Sequence, residues 1–298
     1  MLMASAEGDR VGQTTFVASF RDDLQKLGWV EDRNIRFDIR WGALDAETMQ
    51  RDAKELVATQ PDLILAQATA LTAALLQETH TIPIIFAVAG DPVDSGLVAS
   101  FPRPGGNVTG FTGIEPTMAG KWLELLKEIA PRVTRAALLF NPPTAPYAHV
   151  FVDPFKAAAA SIGVEAIAAP VNDTSELESV GAALAREPNG GFLVWPDSFL
   201  NAHRAQLISL AARYSVPAVY PLRFFAEFGG LLSYGHDMAD NYRRAAVYAD
   251  RILRGAKPSE LPVQAPVKFE LVINMRTAKA LGLDVPLQLQ QRADEVIE

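Results

Sequence analysis

The stretch Ile82–Pro131 reads IPIIFAVAGDPVDSGLVASFPRPGGNVTGFTGIEPTMAGKWLELLKEIAP. Its opening run, Ile84 to Ala89, is short, apolar and partly β-branched, and it stops at Gly90-Asp91-Pro92. That pattern predicts a buried strand of a parallel sheet, covered on both faces. Asp91 follows the strand's C-terminal end, the end at which open α/β sheets bind ligands. A short helix is expected near Asp94 to Ser100, and Pro102 to Asn107 must then be a loop. Val108 to Gly113 is Gly-spaced and extended, and predicts a crossing from one lobe to another. A helix with Trp122, Leu125, Leu126 and Ile129 on one stripe follows.

Outward from this stretch the rhythm is βαβα on both sides. Upstream, Met1 to Met3 predicts the tail of a strand. Thr15 to Leu27 predicts a helix, Ile35 to Trp41 a half-exposed alternating strand, and Ala46 to Thr59 a helix. Leu63 to Ala66 predicts a strand and Ala70 to Glu78 a helix. Downstream, strands are expected over Arg135 to Asn141, Val164 to Ala169, Phe192 to Trp195 and Val216 to Tyr220. Helices are expected over Asp153 to Ile162, Ser175 to Arg186 with Ser175 as a cap, and Phe199 to Tyr214. Gly229 to Gly235 predicts a second crossing. A helix follows over Asn241 to Leu253. The proline-rich Lys257 to Pro266 predicts a third crossing. Val267 to Asn274 predicts a strand and Thr277 to Leu281 a short helix. The fold class is therefore α/β, two doubly wound parallel-sheet lobes joined by three crossings. Residues 1–111 with 236–256 are expected in one lobe, and 112–235 with 257–298 in the other.

Composition narrows the function. With 298 residues, 49% hydrophobic and 21% charged, the chain can fill a core in each of two domains. A net charge of −8 argues against a general nucleic-acid or anionic-membrane binder. The absence of cysteine excludes disulfides, thiolate chemistry and Cys-based metal sites. It also fits an oxidising compartment. The start lacks the basic and apolar regions of a signal peptide. Read alone, that says cytoplasm or a cut N-terminus.

Catalytic signals are poor. His80, His149, His203 and His236 form no local metal-type pair, and no G-x-S-x-G, P-loop or G-x-G-x-x-G context occurs. No catalytic residue, metal or cofactor is assigned. Binding signals are better. Thr69 starts a helix directly after a strand, where its hydroxyl and the free helix N–H groups suit a carboxylate, or where it is a plain cap. Asp91 suits a ligand ammonium, or caps the helix near Asp94 to Ser100. Asp197 has the same ambiguity. Asn141 can donate and accept at a strand end, or shape the turn before Pro142. Tyr220 and Tyr234 can stack on a flat ligand, or are partly buried. Ser5 depends on the first strand. Trp122 and Trp195 belong more naturally to the core.

These residues lie within motifs that carry a resemblance. Ile82-Pro83-Ile84-Ile85-Phe86 runs into Gly90-Asp91-Pro92-Val93, followed by Gly96 to Ser100, Arg103 to Gly110 and Lys121 to Lys127. Gly229 to Gly235, Arg251 to Pro258 and Lys268 to Asn274 follow in the C-terminal half. In these the chain resembles the periplasmic solute-binding proteins of ABC importers, in the family that includes the tryptophan-type binding proteins. The resemblance implies the type I periplasmic-binding fold. It also implies a periplasmic monomer that captures a small solute by lobe closure and delivers it to an inner-membrane ABC permease. An aromatic or apolar amino acid suits the set Ser5, Gln67, Thr69, Asp91, Asn141, Asp197, Tyr220 and Tyr234. The chain departs from the family at Gln67-Ala68-Thr69, where Gly-Thr is common. It also begins near the end of the family's first strand, which predicts a disturbed sheet near Met1 if this is the whole polypeptide. A cytoplasmic sensor on the same fold and a small-molecule enzyme on an α/β fold are the rival readings.

Overall fold

The computed structural model describes residues 1–3, 9, 11–41, 45–115 and 117–298. Ser5 lies outside them. A π-helical turn, Gly12–Val17, leads into α1 (Ala18–Lys26), followed by α2 (Ala46–Ala58), β1 (Ile64–Ala66), α3 (Thr69–Glu78), β2 (Ile84–Ala89) and β3 (Val108–Thr112). Then come α4 (Met118–Ile129), β4 (Arg135–Phe140), α5 (His149–Ser161), β5 (Glu165–Pro170), α6 (Thr174–Ala185) and β6 (Gly190–Val194). Next are α7 (Ser198–Ala202), α8 (Arg204–Arg213), β7 (Ala218–Tyr220), α9 (Arg223–Glu227), β8 (Leu232–His236) and α10 (Met238–Leu253). The chain ends with β9 (Phe269–Asn274), α11 (Met275–Ala280), α12 (Leu287–Arg292) and β10 (Glu295–Ile297).

The chain divides into two compact units. Unit 1 comprises Met1–Glu115 and Met238–Val267; unit 2 comprises Pro116–Asp237 and Lys268–Glu298. The three crossings expected from the sequence are present, but each lies a little later than its glycine or proline signal. Val108–Thr112 is itself a strand, paired in parallel with β2. Gly110 in that strand has φ +153, and a Cβ there would lie 2.1 Å from the Phe86 carbonyl oxygen, so only glycine fits. Likewise Leu232–His236 is a strand, flanked by β7 and β9. Residues 257–267 belong with unit 1, not with the C-terminal lobe as expected. The reason is pairing: Val263 N–H donates to Phe101 O, Gln264 N–H to Gly110 O, and Thr109 Oγ1 to Leu261 O. Three prolines announced an extended segment but not the sheet edge that would receive it.

In unit 1 the sheet order is β1-β2-β3, all parallel. Leu2 bridges Ala66 on one side and Arg40 on the other, so Met1–Met3 lies beside β1 by isolated bridges rather than a continuous ladder. Of the alternating stretch expected as a strand, Ile35 bridges only Glu31 and Arg40 bridges Leu2. Leu2, Leu56, Ile64, Leu75, Ile84 and Phe86 form the centre of the core. Each such side chain, removed from water, contributes roughly 1.5–3 kcal/mol. The helix expected near Asp94 is a set of turns, with Gly96 at φ +70. Left-handed backbone there ends any helix.

In unit 2 the order is β10-β9-β8-β7-β6-β4-β5, parallel except for the antiparallel β8–β9 pair. This sheet is therefore mixed, and its edge strand β10 was not foreseen. The expected helix over 199–214 breaks at His203, and the cap of α6 is Asp173, which accepts from the N–H groups of Ser175 and Glu176. Trp122 and Trp195 are fully buried, with ring centroids 5.8 Å apart.

Candidate functional site

Parallel strands send their C-terminal ends to one rim of a sheet, and the loops that follow carry whatever the fold presents there. In unit 1, β1 ends at Ala66 and the next residues are Gln67, Ala68 and Thr69. Gln67 is nearly buried, and its N–H donates to Leu2 O. Ala68 is the N-cap of α3 and offers no side-chain oxygen, and no side chain caps the helix. The first turn of α3 therefore keeps N–H donors and the positive end of its dipole at the rim. Thr69 is not the cap. It is 4% exposed, and its Oγ1 accepts from Gly90 N–H at 2.9 Å. That bond ties the turn after β1 to the turn after β2, where Asp91 sits. One oxygen of Asp91, Oδ1, accepts from the N–H groups of Val93 and Asp94 at 3.2 and 3.1 Å, so Asp91 closes its own turn.

Asn241 on α10 is a rim residue that sequence reasoning missed. It is 1% exposed, and its Nδ2 donates to Ala87 O and Thr112 O, both at 3.1 Å. It fastens the ends of β2 and β3 together. Its partners are 154 and 129 residues away, and no local pattern signals such a bond.

In unit 2, β4 and β6 are neighbours, and Asn141 and Asp197 follow their ends. The structure brings these two together. Asp197 Oδ2 accepts from Asn141 N–H at 2.8 Å, and Oδ1 accepts from Leu200 N–H at 2.7 Å as the cap of α7. Asn141 Nδ2 donates to Val171 O at 2.8 Å, and its Oδ1 accepts from Thr144 N–H and Thr144 Oγ1. Both residues are 2% exposed. Their polar atoms are committed to shaping the loops after β4, β5 and β6. Burial pushes the Asp197 carboxyl up to about 7, against the downward pull of the Leu200 and Asn141 N–H groups. Beside this network lies an aromatic cluster: Trp195 packs against Phe151 at 4.6 Å and Tyr147 at 6.5 Å between centroids.

The two tyrosines lie elsewhere. Tyr234, in β8, is half-buried and stacks on Phe269 at 5.9 Å, while its carbonyl accepts from Trp122 Nε1. Tyr220 is not brought to the rim. Its ring stacks on Phe225 at 4.9 Å, abuts Gly230, and lines a cavity with Ala218 and Gly229. Its ring leans back along the strand, away from the end that carries Pro221. At the end of β8, burial lowers His236 to about 4, which leaves it neutral at ordinary pH.

Among the described residues no group of His, Asp and Glu is arranged to hold a metal ion. Among the described residues no helix is long and apolar enough to cross a membrane. The rim of unit 1 carries a helix N-terminus without a side-chain cap and the Asp91 carboxylate, groups of the kind binding sites use; the rim of unit 2 carries the buried Asn141 and Asp197 beside a buried aromatic cluster.

The model of the family described as ABC transporter substrate binding protein matches residues 7–297. The chain belongs to that family. It is 27% identical over 261 residues to the tyrosine-binding protein of Clostridioides difficile, covering 87% of this chain and 74% of that protein. Among solved structures it is similar to a conserved domain protein of Vibrio cholerae, with TM-score 0.90, 27% identity and 99% and 98% of the two chains covered. A Streptococcus pneumonia ABC domain in complex with L-Trp gives TM-score 0.90, 26% identity and the same coverage. The fold of this ABC transporter substrate binding protein is thus of the type I periplasmic-binding class, and its function is solute binding for an ABC transporter.

Proposed function

We propose that this substrate binding protein captures an aromatic or apolar amino acid and delivers it to an inner-membrane ABC permease. It works outside the cytoplasm, in the periplasm, as a monomer and without turning over the solute. The observation that carries the reading is the uncapped first turn of α3, placed directly after β1. Its N–H groups suit an α-carboxylate without a counter-cation. Asp91, whose Oδ2 is not used by its own turn, suits the α-ammonium. In unit 1 the contact candidates are Gln67, Thr69 and Asp91; in unit 2 Asn141 and Asp197 act as loop-positioning groups, and Tyr234 on β8 is a further candidate. The name of the C. difficile relative and the ligand of the Streptococcus structure support the amino-acid class.

The test is a thermal-shift and calorimetric screen of L-tyrosine, L-tryptophan, L-phenylalanine and L-leucine, with mass spectrometry of small molecules released from freshly purified protein. The reading expects at least one of these to co-purify or to raise Tm in a saturable way. A panel without a shift, combined with a released compound that is not an amino acid, would replace the solute class.

A further inference from the structure

Unit 2 holds a cavity of about 300 Å³ that the rim residues do not touch. It lies toward the N-terminal ends of β7 and β8, between the C-terminal half of α8 and the helix α11. Val216 and Leu231, which precede those strands, are buried in its floor, and Ala211, Ala212 and Ala280 form its walls. Small side chains on two facing helices leave the space, but space alone is not a site.

Two further observations give it polarity. Tyr220 lines the cavity while only 1% exposed, so its side chain belongs to the inner wall. A phenol hydroxyl on that wall can both donate to and accept from a polar group that enters the cavity. Arg276, also lining the cavity, is exposed. Its Nε donates to the main-chain oxygen of Glu298, and among the described residues it has no side-chain carboxylate partner. Ala212 and Ala280 are exposed beside it, so the charged end of the cavity is its mouth. A deep hydroxyl, apolar walls and a guanidinium at the mouth describe one ligand chemistry.

We propose that this cavity is a second binding site, separate from the solute site, for a small amphiphilic carboxylic acid with a polar group at its far end. The carboxylate meets Arg276, the apolar body lies between α8 and α11, and the far polar group bonds the Tyr220 hydroxyl. The proposal does not depend on which solute the rims bind.

The probe is 3-(4-hydroxyphenyl)propionate, titrated into the full chain and followed by amide chemical shifts, with and without L-tryptophan. Saturable binding is expected, with shifts confined to the cavity and unaffected by L-tryptophan. Tyr220→Phe, which keeps the ring, is expected to weaken binding about 5-fold, the worth of one neutral hydrogen bond. Arg276→Gln is expected to weaken it about 10-fold, since the lost bond is charge-assisted. Ala280→Trp fills the cavity from the exposed helix face and is expected to abolish binding; Ala212→Trp repeats the test from the opposite wall if the first variant folds poorly. Binding that survives both tryptophan variants would overturn the assignment. So would absence of saturable binding together with a raised Tm for Ala280→Leu, which would mark the space as a packing gap only.

Discussion

The rims of the two units look alike in sequence and differ in what their polar groups do. In unit 1, Ala68 leaves the first turn of α3 uncapped, and Asp91 uses one carboxylate oxygen for its turn. In unit 2, Asp197 and Asn141 are nearly fully buried, with both oxygens of Asp197 and both amide atoms of Asn141 bonded inside the protein. One rim leaves helix N–H groups without a side-chain cap; the other uses its polar side chains to build its loops. A polar residue after a strand is therefore a candidate contact only until its partners are known.

The comparison breaks most readily at Asp197. Asp197→Ala leaves the Asn141 and Leu200 N–H groups buried without acceptors. A loss of about 3 kcal/mol or more is expected in urea unfolding, since each orphaned group costs roughly 1–3 kcal/mol. A loss below about 1 kcal/mol would mean that the loops are held by something else. The same carboxyl gives a pH signature. Its pKa in the folded chain is about 7, against 3.8 ordinarily, so the folded state binds the proton more tightly than the unfolded state. The stabilisation is complete below the unfolded pKa and is lost as pH rises through the folded one. Stability should fall between about pH 4 and pH 7, and Asp197→Asn should flatten that slope. A slope that persists in the variant would assign it to another group.

Asn141→Ala should come next, with a loss of about 2 kcal/mol from the unpaired Val171 O and Thr144 N–H. Any loss of affinity should follow from the displaced loops, so amide exchange at residues 141–148 should rise with it. Affinity lost with unchanged exchange would make Asn141 a direct contact. In unit 1, Thr69→Val preserves shape but removes the acceptor for Gly90 N–H, and a loss of about 1–2 kcal/mol is expected. Asp91→Ala should have the smallest effect on stability, roughly 1 kcal/mol for the turn cap. It should still weaken zwitterionic solutes, and an unaltered affinity would remove Asp91 from the contact set.

The alternation of apolar runs with Gly and Pro breaks was enough to read α/β architecture and three crossings. What it could not show is where an extended segment pairs. Residues 257–267 read as a crossing because prolines forbid helix, yet hydrogen bonds at Val263 and Gln264 place them with unit 1. The positions of Thr69, Asp91, Asn141 and Asp197 after strand ends were legible in the sequence. Their roles were not, because these depend on partners far along the chain: Gly90 is 21 residues from Thr69, and Asn141 is 56 from Asp197. Tyr220 ends its strand as expected, but side-chain direction is set by packing on Phe225, which strand position does not specify.

The most direct test of the account compares L-tryptophan with tryptamine, which lacks the carboxylate, by isothermal titration calorimetry. If the first turn of α3 holds an α-carboxylate, L-tryptophan should bind and tryptamine should bind at least about 10-fold more weakly, as expected for a lost charge-assisted hydrogen bond. Equal affinities, or binding of tryptamine alone, would contradict the account.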